Sequence, residues 1–492
     1  MTREIAPLPI AKEFQAYLKD ASHFEGQAQG ILFPSSEEEI SQILHQANEK
    51  KLPITVSGAG TGLTGARVPL NGIILSTDKM NKILSIQWDE ARWEGSATVQ
   101  SGVSLKELEE ALEKRGLFYP PNPGEKKAFI GGTVSTNASG SRSFKYGPTR
   151  RYVQRLRVIL PSGEPLEIRR NQIKAQDYGF NLTLSDGKTI QIPVPTYSMP
   201  EVKNAAGYYA KPNMDLIDLF IGSEGTLGVV TEIGLKILKK PDGILSGILF
   251  FSSEEACFKF ASEIPSGLSP RALEFFDSRS LELLAQKHPD IPARSKAALF
   301  FEQEFGPQEE AAVQKGWERY LSSFRSSLAG SWISTSLKEQ KVFREFRYHL
   351  PALVNEKVAL NGFRKVGTDL AVPEEKADAM MAFYQEELQS SGIDYVIFGH
   401  LGDNHLHVNL LPKTSREFDE TQSLYGVFAR KAIELGGTIS AEHGIGKIRI
   451  QYLEWMVGKE GLGEMARVKK SLDPEGILNP GNIFPVKLLK EV

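Results

Sequence analysis

Three glycine-rich loops in the first half of the chain place the tightest limits on its fold. They span residues 57–66, 120–147 and 221–228, and short predicted strands and helices separate them. Glycine lets backbone N–H groups approach a ligand closely, and such loops form binding sites for phosphate groups. A surface turn would explain one loop of this kind equally well. Three in this order indicate a large phosphate-bearing cofactor held over an extended surface.

The first of these loops fits neither of the two best-known nucleotide-binding motifs. It does not show the full glycine spacing, following helix and later acid of a Rossmann fingerprint. No Lys-Ser or Lys-Thr pair closes it, as one would in a P-loop. The sequence therefore predicts that the cofactor is held by a different arrangement of loops.

Capped helices and short strands alternate between the loops. Ser36 and Ser104 each precede a glutamate by three residues, the pattern of a capping box, so each predicts a helix that begins after the serine. The pair Asp186-Gly187 predicts the turn of a hairpin. From about residue 243, strands alternate with charged helices. A chain of 492 residues is too long for one simple core, so two or three domains are expected.

Charge and cysteine content exclude several classes of protein. The formal net charge is -3, whereas a nucleic-acid partner would demand a basic face. The basic run at residues 150–157 alternates in part with apolar residues and is interpreted as a strand with a solvated face. Cys257 is the only cysteine, which excludes internal disulfides, Cys-rich zinc sites and iron–sulfur clusters built by this chain alone.

The location of the protein is predicted from what the chain lacks. No apolar run reaches membrane-spanning length, and residues 1–10 show neither a signal-peptide core nor a transit pattern. We expect a cytoplasmic protein, with peripheral docking to the inner face of the membrane left open. The oligomeric state cannot be read from the sequence, so a homodimer also stays open.

The second half of the chain carries a histidine-rich stretch at residues 399–409. After a turn, the alternation predicts a strand with His405, His407 and Asn409 on one face. Residues 440–446 add a glutamate next to a histidine. Together these segments supply the ligand types for a metal ion with an adjacent base. A lone histidine is more often structural than catalytic. For His405 the sequence favours neither a structural nor a functional role.

The order of these motifs resembles the vanillyl-alcohol oxidase superfamily of flavoenzymes, which has a PCMH-type FAD-binding domain. The likeness is to its D-2-hydroxy-acid dehydrogenase branch, which includes D-lactate, D-2-hydroxyglutarate and glycolate dehydrogenases. It extends from about residue 30 to residue 484. The segments that carry it are residues 57–66, 130–140, 222–228, 400–407, 440–446 and 478–482.

The resemblance implies an α+β fold. Residues 1–242 would form a PCMH-type FAD-binding domain of two α/β lobes, and residues 243–450 a substrate domain whose antiparallel sheet is covered by helices and carries the metal site. Residues 451–492 would return to the FAD domain as a helical segment. Residues 164–212 are longer than the family usually shows, and a lid, a partner surface or a decorated loop are the alternatives, with the decorated loop favoured.

The resemblance also implies which residues contact FAD. They are expected to be Ser57, Gly58, Ala59, Gly60, Thr61, Gly62, Leu63, Gly65, Pro123, Gly124, Gly131, Gly132, Thr133, Asn137, Gly140, Tyr146, Glu224, Gly225, Gly228 and Asn479. Some relatives attach the flavin through a histidine in the first loop or a nearby cysteine. Neither is present here, so we expect FAD to be bound non-covalently.

The same resemblance implies a metal site and a base. His400, His407 and Glu442 would hold a divalent ion, and two imidazoles with a carboxylate suit Zn, Mn, Fe or Co better than Ca or Mg. His443 would act as the general base, since imidazole titrates near working pH.

Four further residues are candidates for contact with the substrate. Arg347 is the position that matches the carboxylate-binding arginine of the family, with Arg344 as the fallback, and Asn409 is expected to touch the substrate. Relatives that act on larger diacids carry a lysine where this chain has Gly367, and Lys365 could substitute for it from the same face. The mismatch favours a small D-lactate-like acid over 2-hydroxyglutarate.

The resulting hypothesis is an FAD-dependent dehydrogenase that moves hydride from C2 of a D-2-hydroxy acid to flavin N5. A metal-dependent hydrolase would use the same ligands but leaves the three glycine-rich loops unexplained. A flavin-binding subunit of a larger electron-transfer complex is the third alternative. The electron acceptor stays open among oxygen, a quinone, a flavoprotein, a cytochrome and the iron–sulfur cluster of a partner subunit.

Overall fold

The computed structural model of the protein describes residues 6–492. Residues 1–5 lie outside the described residues. They belong to the predicted FAD-binding segment 1–242 and to the N-terminal stretch in which a signal peptide was not expected. The strands, in chain order, are β1 Gly30–Leu32, β2 Ile54–Ser57, β3 Ile73–Ser76, β4 Ile83–Asp89, β5 Glu94–Gln100, β6 Leu117–Phe118, β7 Val153–Ile159, β8 Pro165–Arg169, β9 Gly179–Thr183, β10 Thr189–Pro193, β11 Val229–Lys239, β12 Gly243–Phe251, β13 Pro270–Phe276, β14 Ala297–Phe305, β15 Leu328–Ser334, β16 Val366–Gly367, β17 Tyr395–His400 and β18 His405–Leu410.

The α-helices alternate with these strands. In chain order they are α1 Glu37–Glu49, α2 Leu105–Glu113, α3 Ile130–Ser135, α4 Ser143–Tyr146, α5 Leu216–Phe220, α6 Glu254–Ser262, α7 Ser278–Leu284, α8 Glu310–Ser323, α9 Leu337–Asn361, α10 Ala377–Ser391, α11 Ser415–Glu434 and α12 Ile450–Leu472. Both helices predicted from capping serines are confirmed. The side chain of Ser36 accepts from the backbone N–H of Glu39, and Ser104 forms a complete capping box with Glu107.

A small parallel sheet with strand order β1-β3-β2 begins the first half of the molecule. Helix α1 covers it with the apolar face that its spacing predicts, and Ile40 and Leu44 are fully buried there. The first glycine-rich loop leaves the carboxyl end of β2. Segments that follow α12 return to the same sheet, where the N–H of Ile54 donates to the carbonyl of Ile477 at 2.8 Å.

A second, antiparallel sheet has the order β4-β5-β11-β7-β8, and β6 pairs with β11. The strand interpretation of the basic run holds only for its second part: Arg155 and Arg157 lie on β7, whereas Arg150 and Arg151 lie in a short 3-10 helix, Thr149–Arg151. The arginines of β7 are used in ion pairs. Arg155 contacts Glu232 at 3.2 Å, and Arg157 pairs with Glu37. Strands β9 and β10 form the predicted hairpin as a separate two-stranded sheet.

The third sheet has seven strands in the order β15-β12-β14-β13-β17-β18-β16. Helices α7 and α9 pack on one face, while α6, α8 and α10 pack on the other. Every strand pair in it is antiparallel, and β17 lies near its centre between β13 and β18. This sheet therefore holds the histidine-rich strand in a rigid frame. Among residues 6–492, no helix is both long and apolar enough to span a membrane.

Candidate active site

One cavity of about 540 Å³ joins the glycine-rich loops to the histidine cluster. Its walls include residues from all three loops of the first half of the chain. The opposite wall comes from the seven-stranded sheet, from α9 and from the loop between α11 and α12, and it includes His400, His407, Glu442 and His443. A cavity of this size is typical of a site for a cofactor or substrate. The two sets of residues that the sequence singled out therefore face the same space.

Most of the residues predicted to contact FAD line this cavity. They are Gly58, Ala59, Gly60, Thr61, Gly62, Leu63, Pro123, Gly124, Gly131, Gly132, Thr133, Gly140, Glu224, Gly225, Gly228 and Asn479. At Gly124 and Gly132 an added Cβ would meet no atom within 4 Å. Side chains at these two positions would therefore extend into open space in front of the wall. The glycines form a bare backbone surface that fits a large planar or phosphate-bearing group.

Four of the predicted FAD contacts lie outside the cavity lining. Ser57 ends strand β2, and the N–H of Gly65 donates to Asp20 at 2.8 Å. Asn137 accepts from the N–H of Arg150 at 3.0 Å, and Tyr146 bonds to a glutamate of β14. In the structure, three of these residues, Gly65, Asn137 and Tyr146, fix the loops by hydrogen bonds to neighbouring segments, and Ser57 ends the strand from which the first loop leaves.

Replacing Gly132 with valine should abolish most flavin binding while the protein stays folded. The new side chain would occupy the open space in front of the wall, and valine is no worse a helix former than glycine at this place in α3. The measurement is the flavin-to-protein absorbance ratio of the purified variant. Gly267→Val is the matched control, because Gly267 also has open space around it but lies in an exposed loop. Equal flavin content in the two variants would contradict the placement of the cofactor.

The metal-type residues converge on one point of the cavity wall. Strands β17 and β18 pair so that His400 lies opposite His405, and β13 places Glu274 opposite His400 on the other side. One potential ligand atom from each of four residues lies within 4.8 Å of the others; they are His400, His405, His407 and Glu442. The structure therefore brings the three predicted ligands together and places His405 in the same group, although the sequence favoured neither role for it. Three imidazoles and one carboxylate are a donor set that fits a transition-metal ion.

Two of the histidines place Nδ1 against an acceptor, so Nε2 is the ring nitrogen left to face a ligand; in His400 it lies 3.3 Å from Glu442 Oε1. His400 Nδ1 lies 2.6 Å from Glu274 Oε1, and His407 Nδ1 lies 2.9 Å from the carbonyl oxygen of Thr368. Metal-binding histidines are commonly oriented in this way by a carboxylate or carbonyl acceptor. Burial would lower the pKa of His400, but Glu274 and Glu442 outweigh it and raise the pKa to about 9. Burial lowers the pKa of His407 well below its usual value.

Lys203 is a member of this cluster that the sequence did not reveal. It lies in the last part of the segment 164–212, and its Nζ is 2.5 Å from Glu442 Oε1. The same oxygen accepts a hydrogen bond from Ser139 Oγ at 3.0 Å. Nearby, the N–H of Ala205 donates to the carbonyl of Ser440 at 2.8 Å. This end of the segment therefore packs behind the cluster without lining the cavity, which a purely decorative loop would not do.

Asp369 is a second residue that sequence reasoning did not place in the site. It is fully buried and accepts hydrogen bonds from the backbone N–H of Glu442 and His443, at 3.2 and 3.0 Å. His443 Nδ1 lies 3.2 Å from Asp369 Oδ2. Burial would raise the pKa of Asp369, but His443 and Arg449 outweigh it and hold the pKa well below its usual range. The carboxylate thus faces one side of the His443 ring and leaves Nε2 available for proton transfer.

Arg347 is the arginine that reaches the cavity, whereas Arg344 does not line it. Both lie on α9, three residues apart. Arg347 Nε donates to Glu274 Oε2 at 2.9 Å, so one carboxylate fixes both this guanidinium and His400. Burial would raise the pKa of Glu274, but Arg347 and His400 lower it to about 2. Arg347 can therefore present its remaining N–H groups to an anion in the cavity.

The two other predicted substrate contacts, Asn409 and Lys365, do not line the cavity. Asn409 is buried on β18, and its Nδ2 donates to the carbonyl of His407 at 3.3 Å. Lys365 immediately precedes β16, and burial lowers its pKa to about 8. Within residues 6–492 no hydrogen bond or ion pair reaches the Lys365 ammonium.

Two domain families match the chain. Residues 28–169 match the family described as FAD binding domain, and residues 240–483 match FAD linked oxidases, C-terminal domain. Among solved structures, 4-ethylphenol oxidase from Gulosibacter chungangensis shares the fold with a TM-score of 0.66 at 17% identity, over 96% of this chain and 92% of that one. An alkyldihydroxyacetonephosphate synthase shares it with a TM-score of 0.63 at 20% identity, over 93% and 76%.

Three curated relatives cover nearly the whole chain. The glycolate oxidase subunit GlcD of Bacillus subtilis is 32% identical over 97% of this chain and 93% of its own length. D-lactate dehydrogenase of Anaerostipes hadrus is 31% identical over 91% and 88%, and D-2-hydroxyglutarate dehydrogenase of Stutzerimonas stutzeri is 28% identical over 97% and 96%. These likenesses confirm the resemblance seen in the motifs and the α+β fold. With its FAD-binding domain and its C-terminal oxidase domain, the chain belongs to the FAD-linked oxidoreductases of the vanillyl-alcohol oxidase superfamily, in the D-2-hydroxy-acid branch.

Proposed function

We propose that this protein oxidises a small D-2-hydroxy acid, of the D-lactate type, to the corresponding 2-oxo acid. The observation that carries the proposal is the shared cavity, because the FAD-type glycine loops and the His–Glu cluster line one space. FAD, when bound there, supplies a hydride acceptor that no side chain provides, and a divalent ion supplies a Lewis acid. The remaining requirements of the reaction fall to side chains of this chain.

His443 takes the proton of the substrate hydroxyl. It lines the cavity, and Asp369 lies on the Nδ1 side of its ring, so Nε2 is the proton acceptor. As the proton arrives, the Asp369 carboxylate stabilises the positive charge on the imidazole. His400, His407 and Glu442 would hold the ion beside this base, and the approach of His400 Nε2 to Glu442 Oε1, at 3.3 Å, supports that assignment.

Arg347 binds the carboxylate of the substrate. Its guanidinium lines the cavity and is fixed by Glu274, so it offers a preset pair of donors to a planar anion. Asn409, two residues after His407 on the same strand face, donates a hydrogen bond to the carbonyl of His407. Lys365 would be recruited only by a longer acid with a second carboxylate, because it does not reach the cavity wall.

The cofactor is held without a covalent bond. Cys257 is fully buried and does not line the cavity, and the first glycine loop contains no histidine. Acid precipitation should therefore release all of the flavin into the supernatant.

The decisive experiment is a screen of D- and L-2-hydroxy acids for anaerobic bleaching of the bound flavin. We expect D-lactate to bleach the flavin quickly and L-lactate to leave it oxidised. With the carboxylate and the hydroxyl bound in place, only one enantiomer directs its C2 hydrogen away from His443 and toward the flavin. D-2-hydroxyglutarate and glycolate belong in the same panel, since the relatives carry those names. If no D-2-hydroxy acid reduces the flavin, or if both enantiomers do so equally, the proposal fails.

A further inference from the structure

The buried ammonium of Lys203 contacts Glu442, one of the candidate ion ligands, and so brings a positive charge next to the proposed ion site. Its side chain is only 5% exposed, and Nζ contacts two carboxylates, Glu442 at 2.5 Å and Asp403 at 3.2 Å. Asp403 also accepts a hydrogen bond from Ser143 Oγ at 2.6 Å. These contacts make Lys203 part of the floor of the metal-type cluster, although it does not line the cavity.

The contact with Glu442 involves a carboxylate oxygen that lies among the candidate ligands. Glu442 Oε1 faces Lys203 Nζ, Ser139 Oγ and His400 Nε2 at the same time. An ion that binds between Glu442 and the imidazoles must share this oxygen with the ammonium or displace it. Two cations at such a short distance in a buried site repel each other strongly.

The charges near Lys203 show the same competition. Lys203 with Glu442 and Asp403, counted without the neighbouring His400, carries one negative charge in the absence of an ion. A divalent ion turns that into one positive charge, in a site where water cannot screen it well. This excess of positive charge favours the binding of an anionic substrate once the ion is bound, but it weakens the binding of the ion itself.

We propose that Lys203 is a positioning residue that limits the affinity of the site for its divalent ion. In the ion-free protein it neutralises Glu442 and keeps the site satisfied. When the ion binds, the ammonium shifts its main contact from Glu442 to Asp403. The ion site belongs to the proposed function, and this inference rests on it. The consequence is an exchangeable ion rather than a permanently bound one.

The test measures the Kd of Mn²⁺ for the chelated, flavin-loaded full-length protein, from the electron paramagnetic resonance signal of free Mn²⁺. Lys203→Met keeps the length of the side chain but removes its charge, and we expect at least tenfold tighter binding. Lys203→Arg keeps the charge and should bind Mn²⁺ within a few-fold of the unaltered protein. Lys188→Met, an exposed lysine on the hairpin turn of the same segment, should leave the Kd unchanged.

Asp403→Asn provides an independent test with the opposite sign. It removes the carboxylate that receives the ammonium, so Lys203 stays on Glu442 and Mn²⁺ should bind several-fold more weakly. If Lys203→Met does not fold, Lys203→Gln decides the question, because it also removes the charge and should bind Mn²⁺ at least tenfold more tightly. A purely structural lysine would lower the melting temperature with and without Mn²⁺ and leave the Kd unchanged, which would overturn the inference, as would weaker binding in Lys203→Met.

Failure of the ion site itself has a different signature. If Mn²⁺ does not bind the unaltered protein, or if Glu442→Gln binds it as tightly as the unaltered protein does, the ion site of the proposed function is wrong. If binding depends on Glu442 but not on the charge of Lys203, only the inference about Lys203 is overturned.

Discussion

Replacing His443 with alanine is expected to lower kcat for the D-2-hydroxy acid by roughly 10³-fold, within the range usual for loss of a general base. The side chain lines the cavity beside the candidate ion ligands, and Asp369 lies 3.2 Å from its Nδ1. The backbone N–H groups of residues 442 and 443 would still bond to Asp369, so the loop should keep its shape. The measurement is steady-state turnover, together with the flavin content of the purified variant.

Two further variants make the result for His443 specific. His443→Gln keeps most of the volume and should be as inactive as the alanine variant. His45→Ala removes an exposed histidine on α1 and should retain full activity. Turnover of His443→Ala within a few-fold of the unaltered protein would exclude the role in proton transfer, and loss of flavin would show that the residue supports the cofactor instead.

Replacing Arg347 with methionine should reduce kcat/KM by roughly 10²- to 10⁴-fold, since each hydrogen bond to a charged group contributes about 1.5–3 kcal/mol and two are lost. The loss should appear first as a higher KM, because the guanidinium binds the carboxylate before and during the reaction. Glu274 would keep its contact with His400, so the ion ligands should stay in place.

Arg344→Met is the matched control for Arg347, because Arg344 lies one turn earlier on α9 and contacts Glu302 at 3.8 Å without lining the cavity. We expect its kinetic constants to stay within a few-fold of the unaltered values. An equal loss in both variants would point to a general effect on the helix. A larger loss in Arg344→Met would show that the fallback residue binds the substrate.

The local parts of the structure could be predicted because each depends on neighbouring residues. The capping serines set the starts of α1 and α2, and the alternation after residue 404 places His405 and His407 on one face. The fold was predicted through the family resemblance, which the combined order of the motifs carries, rather than from the glycine loops alone. Helix periodicity, by contrast, could not decide between Arg344 and Arg347, since residues three apart on a helix lie close together.

The long-range parts of the site could not be read from the sequence. Lys203 contacts Asp403 across 200 residues, and it lies in a segment whose favoured interpretation was a surface decoration. Sequence reasoning gave Asp369 no role in the site, whereas the structure shows it accepting hydrogen bonds from the backbone N–H groups of Glu442 and His443. In both cases the relevant signal is a buried charge that needs a partner, and burial appears only once the elements have packed.

The most direct test of the central claim is the rate of flavin reduction in a single anaerobic turnover, measured before and after the divalent ion is removed. The claim is that one cavity brings a flavin and a His–Glu ion site together on one D-2-hydroxy acid. It predicts that chelated protein keeps its flavin but reduces it at least 100-fold more slowly, and that added Mn²⁺ or Zn²⁺ restores the rate. An unchanged rate in protein shown to be free of metal would contradict it.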